Sequence, residues 1–142
     1  MKTYKFYGWK TADVKDSKGL TPRDYYDKFL NAWCYETCAP RYRPEWSEEN
    51  PTLGQCSITS FILQDFYGGK VYGIPLDEGG YHCFNVVGDC TFDITSEQFG
   101  DVALDYDNVT EQFREDHFSD ASKKERYDLL KERLMKVLQS DA

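Results

Sequence analysis

The chain has 142 residues, 40% of them hydrophobic, with 9 Phe, 11 Tyr and 3 Trp, so one domain over 1–142 with an aromatic core is expected, without a metal or disulfide staple. Its 17 basic against 25 acidic residues give a net charge of −8, which repels phosphate backbones and anionic lipid; no Lys/Arg-rich run offsets it, so nucleic-acid and membrane functions are set aside. No apolar run approaches a membrane span, the charged and aromatic Met1–Lys10 lacks a signal-peptide core, and an odd number of cysteines, 5, reads as reduced thiols in the cytoplasm.

In chain order, Tyr4, Phe6 and Trp9 suggest an extended segment ahead of the polar stretch Asp13–Gly19. Thr21-Pro22 opens the first helix: Thr caps, and Pro at the first helical position loses only an N–H that would be unpaired anyway. Tyr26, Phe29, Leu30 and Trp33 then recur at helical spacing. Cys38–Gly54 carries Pro40, Pro44 and Pro51 and reads as a loop, one that also holds Arg41, Tyr42, Arg43 and Trp46. A second helix is predicted from about Gln55 to Tyr67, with Ile58, Phe61, Ile62 and Phe66 on one face and Gly68-Gly69 as its stop. Cys56 lies on a side that continues with the small residues Thr59 and Ser60, which allow another element to approach closely.

Three strands follow, at Lys70–Ile74, Tyr81–Val87 and Cys90–Ile94. Asp77-Glu78-Gly79-Gly80 and Gly88-Asp89 are their turns. Thr95 is placed to cap a short helical turn over Ser96–Phe99, and Gly100–Phe118 is acidic and irregular, with His117 solvated in it. Ser122-x2-Glu125 reads as a capping box for a last helix with a Tyr127, Leu130, Leu134, Leu138 stripe. The expected fold class is α+β, with helices packed on a small antiparallel sheet.

Cys56 falls at the start of a helix, where unpaired N–H groups and the helix dipole lower a thiol pKa and can cradle an oxyanion. Gln55 beside it offers a side-chain amide donor. His82 is tied to Asp93 by the hairpin. If Gly88-Asp89 is a two-residue turn, Asp93 faces Phe84, and His82, two residues away, shares a sheet face with Asp93. A three-residue loop would reverse that parity. With the second helix packed on that face, Cys56 would be the nucleophile, His82 the base and Asp93 the group that orients it. Alternation places Cys83 and Asn85 on the opposite face. Arg43 and Trp46, with Arg41, could recognise an anionic or aromatic substrate, or pair with the acidic body.

Two other readings use the same residues. A cysteine is more often a small buried hydrophobe, which is the expectation for Cys34, Cys38, Cys83 and Cys90; the domain would then be a non-catalytic binding module. A zinc site could draw on Cys34, Cys38, Cys56, His82, Cys83 and Cys90, but Cys34-x3-Cys38, read as i, i+4 at a helix end, is not a zinc knuckle, so no metal is assigned. Asp101–Asp107 lacks the Gly and the terminal Glu of a calcium loop. No Gly-rich phosphate loop is present, and no cofactor is expected.

The segment Trp46–Thr59 (WSEENPTLGQCSIT), together with Gln64-Asp65, Gly68-Gly69, His82-x2-Asn85 and Asp93-Ile-Thr-x2-Gln98-Phe99, resembles the bacterial YunG-like family over about residues 25 to 135. That resemblance names a group and not a reaction. The order Cys, His on a strand, Asp on the next strand is also similar to the papain/transglutaminase-like superfamily, which implies a cysteine hydrolase, deamidase or acyltransferase acting on a small-molecule or protein amide or acyl substrate. The papain Cys-Gly-Ser-Cys-Trp block is missing, which makes peptidase activity the weakest of these.

Overall fold

The computed structural model describes residues 6–100 and 102–140. Helix α1 spans Pro22–Phe29, and Thr21 and Asp24 close a reciprocal capping box around its first turn. It ends sooner than the apolar spacing predicts. Leu30 is its C-cap, and Trp33 reaches the core from the turn beyond, stacked on Phe29 with its indole N–H donated to Thr59. Burial of an aromatic ring needs only the right position, not helical backbone, so periodicity overran the helix by one turn. The proline-rich loop is built of short 3-10 turns at Tyr35–Thr37 and Pro40–Glu45. Cys34 and Cys38 therefore flank a 3-10 turn and do not sit at a helix end.

Helix α2 spans Cys56–Tyr67 and is buried through its middle, from Ile58 to Leu63. It is followed by strands β1 (Lys70–Pro75), β2 (Tyr81–Val87) and β3 (Cys90–Phe92). The stretch read as irregular holds a further strand, β4 (Thr110–Gln112), and a one-turn helix, α3 (Arg114–His117). Three residues, Thr-Glu-Gln, carry no alternating apolar signal; they pair because they lie alongside Val71–Gly73. The sheet is antiparallel throughout, in the order β3-β2-β1-β4, and the fold class is α+β.

Helix α4 (Ala121–Ser140) lies against α2, α1 and the 3-10 turn at Tyr35–Thr37. Its cap is not the Ser122/Glu125 box. Asp120 accepts from the N–H groups of Ser122 and Lys123, and as a carboxylate at a helix N-terminus it also meets the dipole. Tyr127, Leu130 and Leu134 are buried as the stripe predicts, and they close one core with Tyr25, Phe29, Phe61, Ile62, Val71 and Phe92. Each such side chain contributes roughly 1.5–3 kcal/mol of burial.

The N-terminal segment is partly extended. Phe6 is buried, Tyr7 bridges Asp93 through an Asp93 N–H to Tyr7 carbonyl bond of 3.0 Å, and Trp9–Thr11 form a 3-10 turn. Gly8 makes this docking possible: its φ is +87°, and a Cβ there would lie 2.1 Å from the Thr91 carbonyl oxygen. The expectations for Tyr4 and Asp101 lie outside the described residues. Among the described residues no helix is long and apolar enough to cross a membrane.

Candidate active site

The hairpin register is the one a two-residue turn dictates: Val87 pairs with Cys90, Val86 with Thr91 and Asn85 with Phe92. Asp93 lies one residue past the end of β3 and turns onto the face of His82. The His82 Nε2 and Asp93 Oδ2 atoms are 2.6 Å apart, and each side chain is 1% exposed. The same carboxylate oxygen accepts from the Tyr106 hydroxyl at 2.8 Å, and Oδ1 accepts from Thr95 at 3.3 Å. That bond is why Thr95, although it precedes the Ser96–Phe99 turn, does not cap it with its side chain. Phe99 stands edge-on to the imidazole at 4.7 Å, and Tyr106 is stacked on Tyr7 at 3.6 Å.

Helix α2 does not pack on the His82 face. Asn85 donates to the Ser60 carbonyl of α2, and Cys83 is fully buried in the core, so the helix covers the odd-numbered face of β2. Cys56 instead meets β2 at its margin. In a two-residue hairpin the residues flanking the turn exchange both backbone bonds, so Val87, Asn85, Cys83 and Tyr81 all aim N–H and C=O toward β3. Because β3 ends at Phe92, the groups of Cys83 and Tyr81 have no strand partner there. The Cys56 thiol fills the gap, donating to the Tyr81 carbonyl oxygen at 3.8 Å, with the Cys83 backbone N–H among the groups that favour its thiolate.

The electrostatics of the three groups reinforce one another. The Cys56 thiol is held well below its ordinary 9.0: the Cys83 thiol beside it lowers it most, burial opposes this, and the neighbouring His82 lowers it further. Cys83 is pushed the other way, and because it is fully buried whereas Cys56 is half-buried at a cleft, Cys56 is the better placed of the two to carry the charge. Burial works against a charge on His82, but Asp93 and then Cys56 outweigh it and raise the imidazole from 6.5 to about 10. With Nε2 given to Asp93, Nδ1 is buried without a hydrogen-bond partner among the described residues, and Cys56 acts on the imidazole as a neighbouring charge. Burial, then the Asp93 charge, pushes the Tyr106 phenol up, so it stays a donor.

Cys56 opens onto a cleft of about 700 Å³. Of the loop residues, Arg41 and Tyr42 line it, whereas Arg43 and Trp46 do not. Arg43 braces the loop by donating to the carbonyls of Cys38 and Glu36 and lies over the Tyr35 ring; Trp46 donates to the Pro51 carbonyl. Gln55 is fully buried, its side-chain N–H donated to the Cys34 carbonyl and its Oε1 unpartnered, so the structure does not bring that amide to the cleft.

His117 is not simply solvated. It is half-buried, lines the cleft, packs edge-on to Phe61, accepts from Lys123 at Nδ1 (2.9 Å) and donates from Nε2 to Gln112 (2.8 Å). Burial and then the Lys123 charge lower its pKa below 6.5, which keeps it neutral. Sequence reasoning had no handle on His117, Lys123 or Arg126, because α3 and the start of α4 reach the cleft only through the tertiary fold. The other cysteines are free, with Cys90 directed at the Thr11 carbonyl and Cys38 buried; among the described residues no group of three or more His, Cys, Asp or Glu is arranged to hold a metal.

A family model described as "YunG protein" matches residues 21–139. The chain is 33% identical over 96 residues to "Uncharacterized protein YunG" of Bacillus subtilis (strain 168), an alignment covering 68% of this chain and 80% of that protein. No solved structure matches it.

Proposed function

The chain belongs to the YunG family, and from the geometry of its site we propose that it is a cysteine-dependent enzyme acting at an amide or acyl carbonyl, as a hydrolase, deamidase or acyltransferase. The observation that carries this reading is the buried His82–Asp93 pair at 2.6 Å with the lowered thiol of Cys56 beside the imidazole. In the proposed reaction the Cys56 thiolate attacks the carbonyl carbon. The negative oxygen that forms is met by backbone N–H groups of the first turn of α2, which have no intrahelical acceptor. The Gln55 side chain is left out of this role because its amide is occupied. His82, protonated from the outset as the partner of the thiolate, gives its proton to the leaving group as the C–X bond breaks and a thioester forms. Water or an acceptor nucleophile, losing its proton to His82, then displaces the thiolate.

A nucleophilic Cys at a helix start, His on a strand and Asp after the next strand favour a papain/transglutaminase-like core, an analogy of arrangement. The odd cysteine count favours the cytoplasm. The test is iodoacetamide labelling against pH. Selective alkylation of Cys56 with a midpoint well below 9.0, lost in His82→Ala, is the expected result. Five equally sluggish thiols would leave a binding domain without this chemistry.

A further inference from the structure

One charged group in the cleft stands without a counter-ion. Arg126 lies on α4, lines the cleft that Cys56 opens onto, and is only 7% exposed. Its Nε is sealed from solvent without a hydrogen-bond partner. Among the described residues it makes no ion pair: Asp120, whose charge acts on it at longer range, uses Oδ1 to cap α4. A cation buried in this way is costly unless something compensates it, and neither Asp120, Cys38 nor Cys56, the groups whose charge offsets it in part, pairs with it directly. Arg43 adds a like charge nearby, while Lys123, one turn earlier on the same face, is held by His117. The side of the cleft formed by α4 is thus a built site for an anion, and the guanidinium fork matches one with two oxygens to offer, a carboxylate or a phosphate.

We propose that Arg126 binds a carboxylate of the substrate, so that the compounds presented to Cys56 are amides or acyl derivatives that also carry a carboxylate. The substrate half of this statement rests on the reading of Cys56 as nucleophile; the binding half does not. A carboxylate is favoured over a doubly charged phosphate because Glu111, Asp116 and Asp120 line the same cleft, and each added negative charge on the ligand is repelled by them.

The test uses the whole protein, with succinamate (one carboxylate and one amide), its uncharged diamide succinamide and inorganic phosphate as probes, read by thermal unfolding at fixed pH and ionic strength. Succinamate at ten times its Kd raises the melting temperature by about 5 °C; succinamide leaves it unchanged, and phosphate shifts it less than succinamate does. Arg126→Met, similar in length and uncharged, abolishes the succinamate shift, and Arg126→Lys, which keeps the charge but loses the fork, retains a weakened one and serves alone if the Met variant does not fold. A succinamate shift undiminished in either variant, an equal shift with succinamide, or a phosphate shift as large as that of succinamate overturns the assignment. The readout needs no thiol chemistry. A Cys56 that alkylates no faster than the other cysteines overturns the enzyme reading and leaves the carboxylate site standing, whereas a wild-type protein insensitive to succinamate overturns the site and leaves the thiol reading intact.

Discussion

Asp93→Asn removes one charge from the buried pair and little else. Oδ2 accepts from both His82 and Tyr106, and Oδ1 meets only the Thr95 hydroxyl, which can donate or accept. An Asn amide therefore fits with its carbonyl at the Oδ2 position and every bond kept. What changes is the imidazole. In the wild type its pKa stands at about 10 against 6.5, a difference of about 5 kcal/mol between protonation states that Asp93 shares with Cys56. Because the folded value is raised, that contribution to stability is complete below pH 6.5 and is lost as pH rises through about 10. The substitution costs the protein roughly 3 kcal/mol near pH 6, at the low end for breaking a buried pair, since the hydrogen bonds survive. The deficit shrinks toward pH 10. The thiol responds as well. Without a positive imidazole the Cys56 midpoint climbs by roughly one to two pH units, and not further, because Cys83 still lowers it. Urea unfolding across this pH range, paired with iodoacetamide labelling, measures both. A stability deficit flat between pH 6 and 10, or an unmoved Cys56 midpoint, would refute the claim that Asp93 sets the charge on His82.

Two further perturbations separate the support of the site from its chemistry. Tyr106→Phe keeps the ring stack on Tyr7 and the edge contact with Phe84 but removes a donor to Asp93; urea unfolding should show a loss of about 1–2 kcal/mol, with the Cys56 labelling midpoint moving by less than about half a pH unit. Gly8→Ala forces a Cβ against the Thr91 carbonyl at a positive φ, so a loss above about 2 kcal/mol is expected, together with slower Cys56 labelling as Tyr7 releases Asp93; wild-type behaviour in both assays would mean that the N-terminal segment does not hold the carboxylate.

The His82–Asp93 pair was legible because hairpin parity is arithmetic: Gly88-Asp89 fixes the turn length, the turn fixes the register, and the register fixes which side chains share a face. The approach of Cys56 was legible only in outcome. Small residues at Thr59 and Ser60 do mark a close contact, but with the face of β2 that bears Cys83 and Asn85, and the sulfur reaches the imidazole at the strand margin where β3 ends. Cys83, readable only as a buried thiol, is the first influence on Cys56, since no local pattern reports a contact between a helix tip and a strand backbone. Of Arg41, Arg43 and Trp46, all close to Cys56 in sequence, the 3-10 turns of the loop direct only Arg41 to the cleft, together with Tyr42. Strand β4 escaped notice because three polar residues have no periodicity to read.

The short reach of β3 also bears on how the protein should be handled. Bare N–H and C=O groups along a strand are what neighbouring chains add to when sheets grow from molecule to molecule, and at Tyr81 and Cys83 a single sulfur atom occupies that position. Truncating residue 56 to alanine would expose those groups as well as delete the thiol, so a preparation of that variant would cluster for reasons unrelated to catalysis. Serine, whose oxygen can still hydrogen-bond to the strand, is the cleaner control.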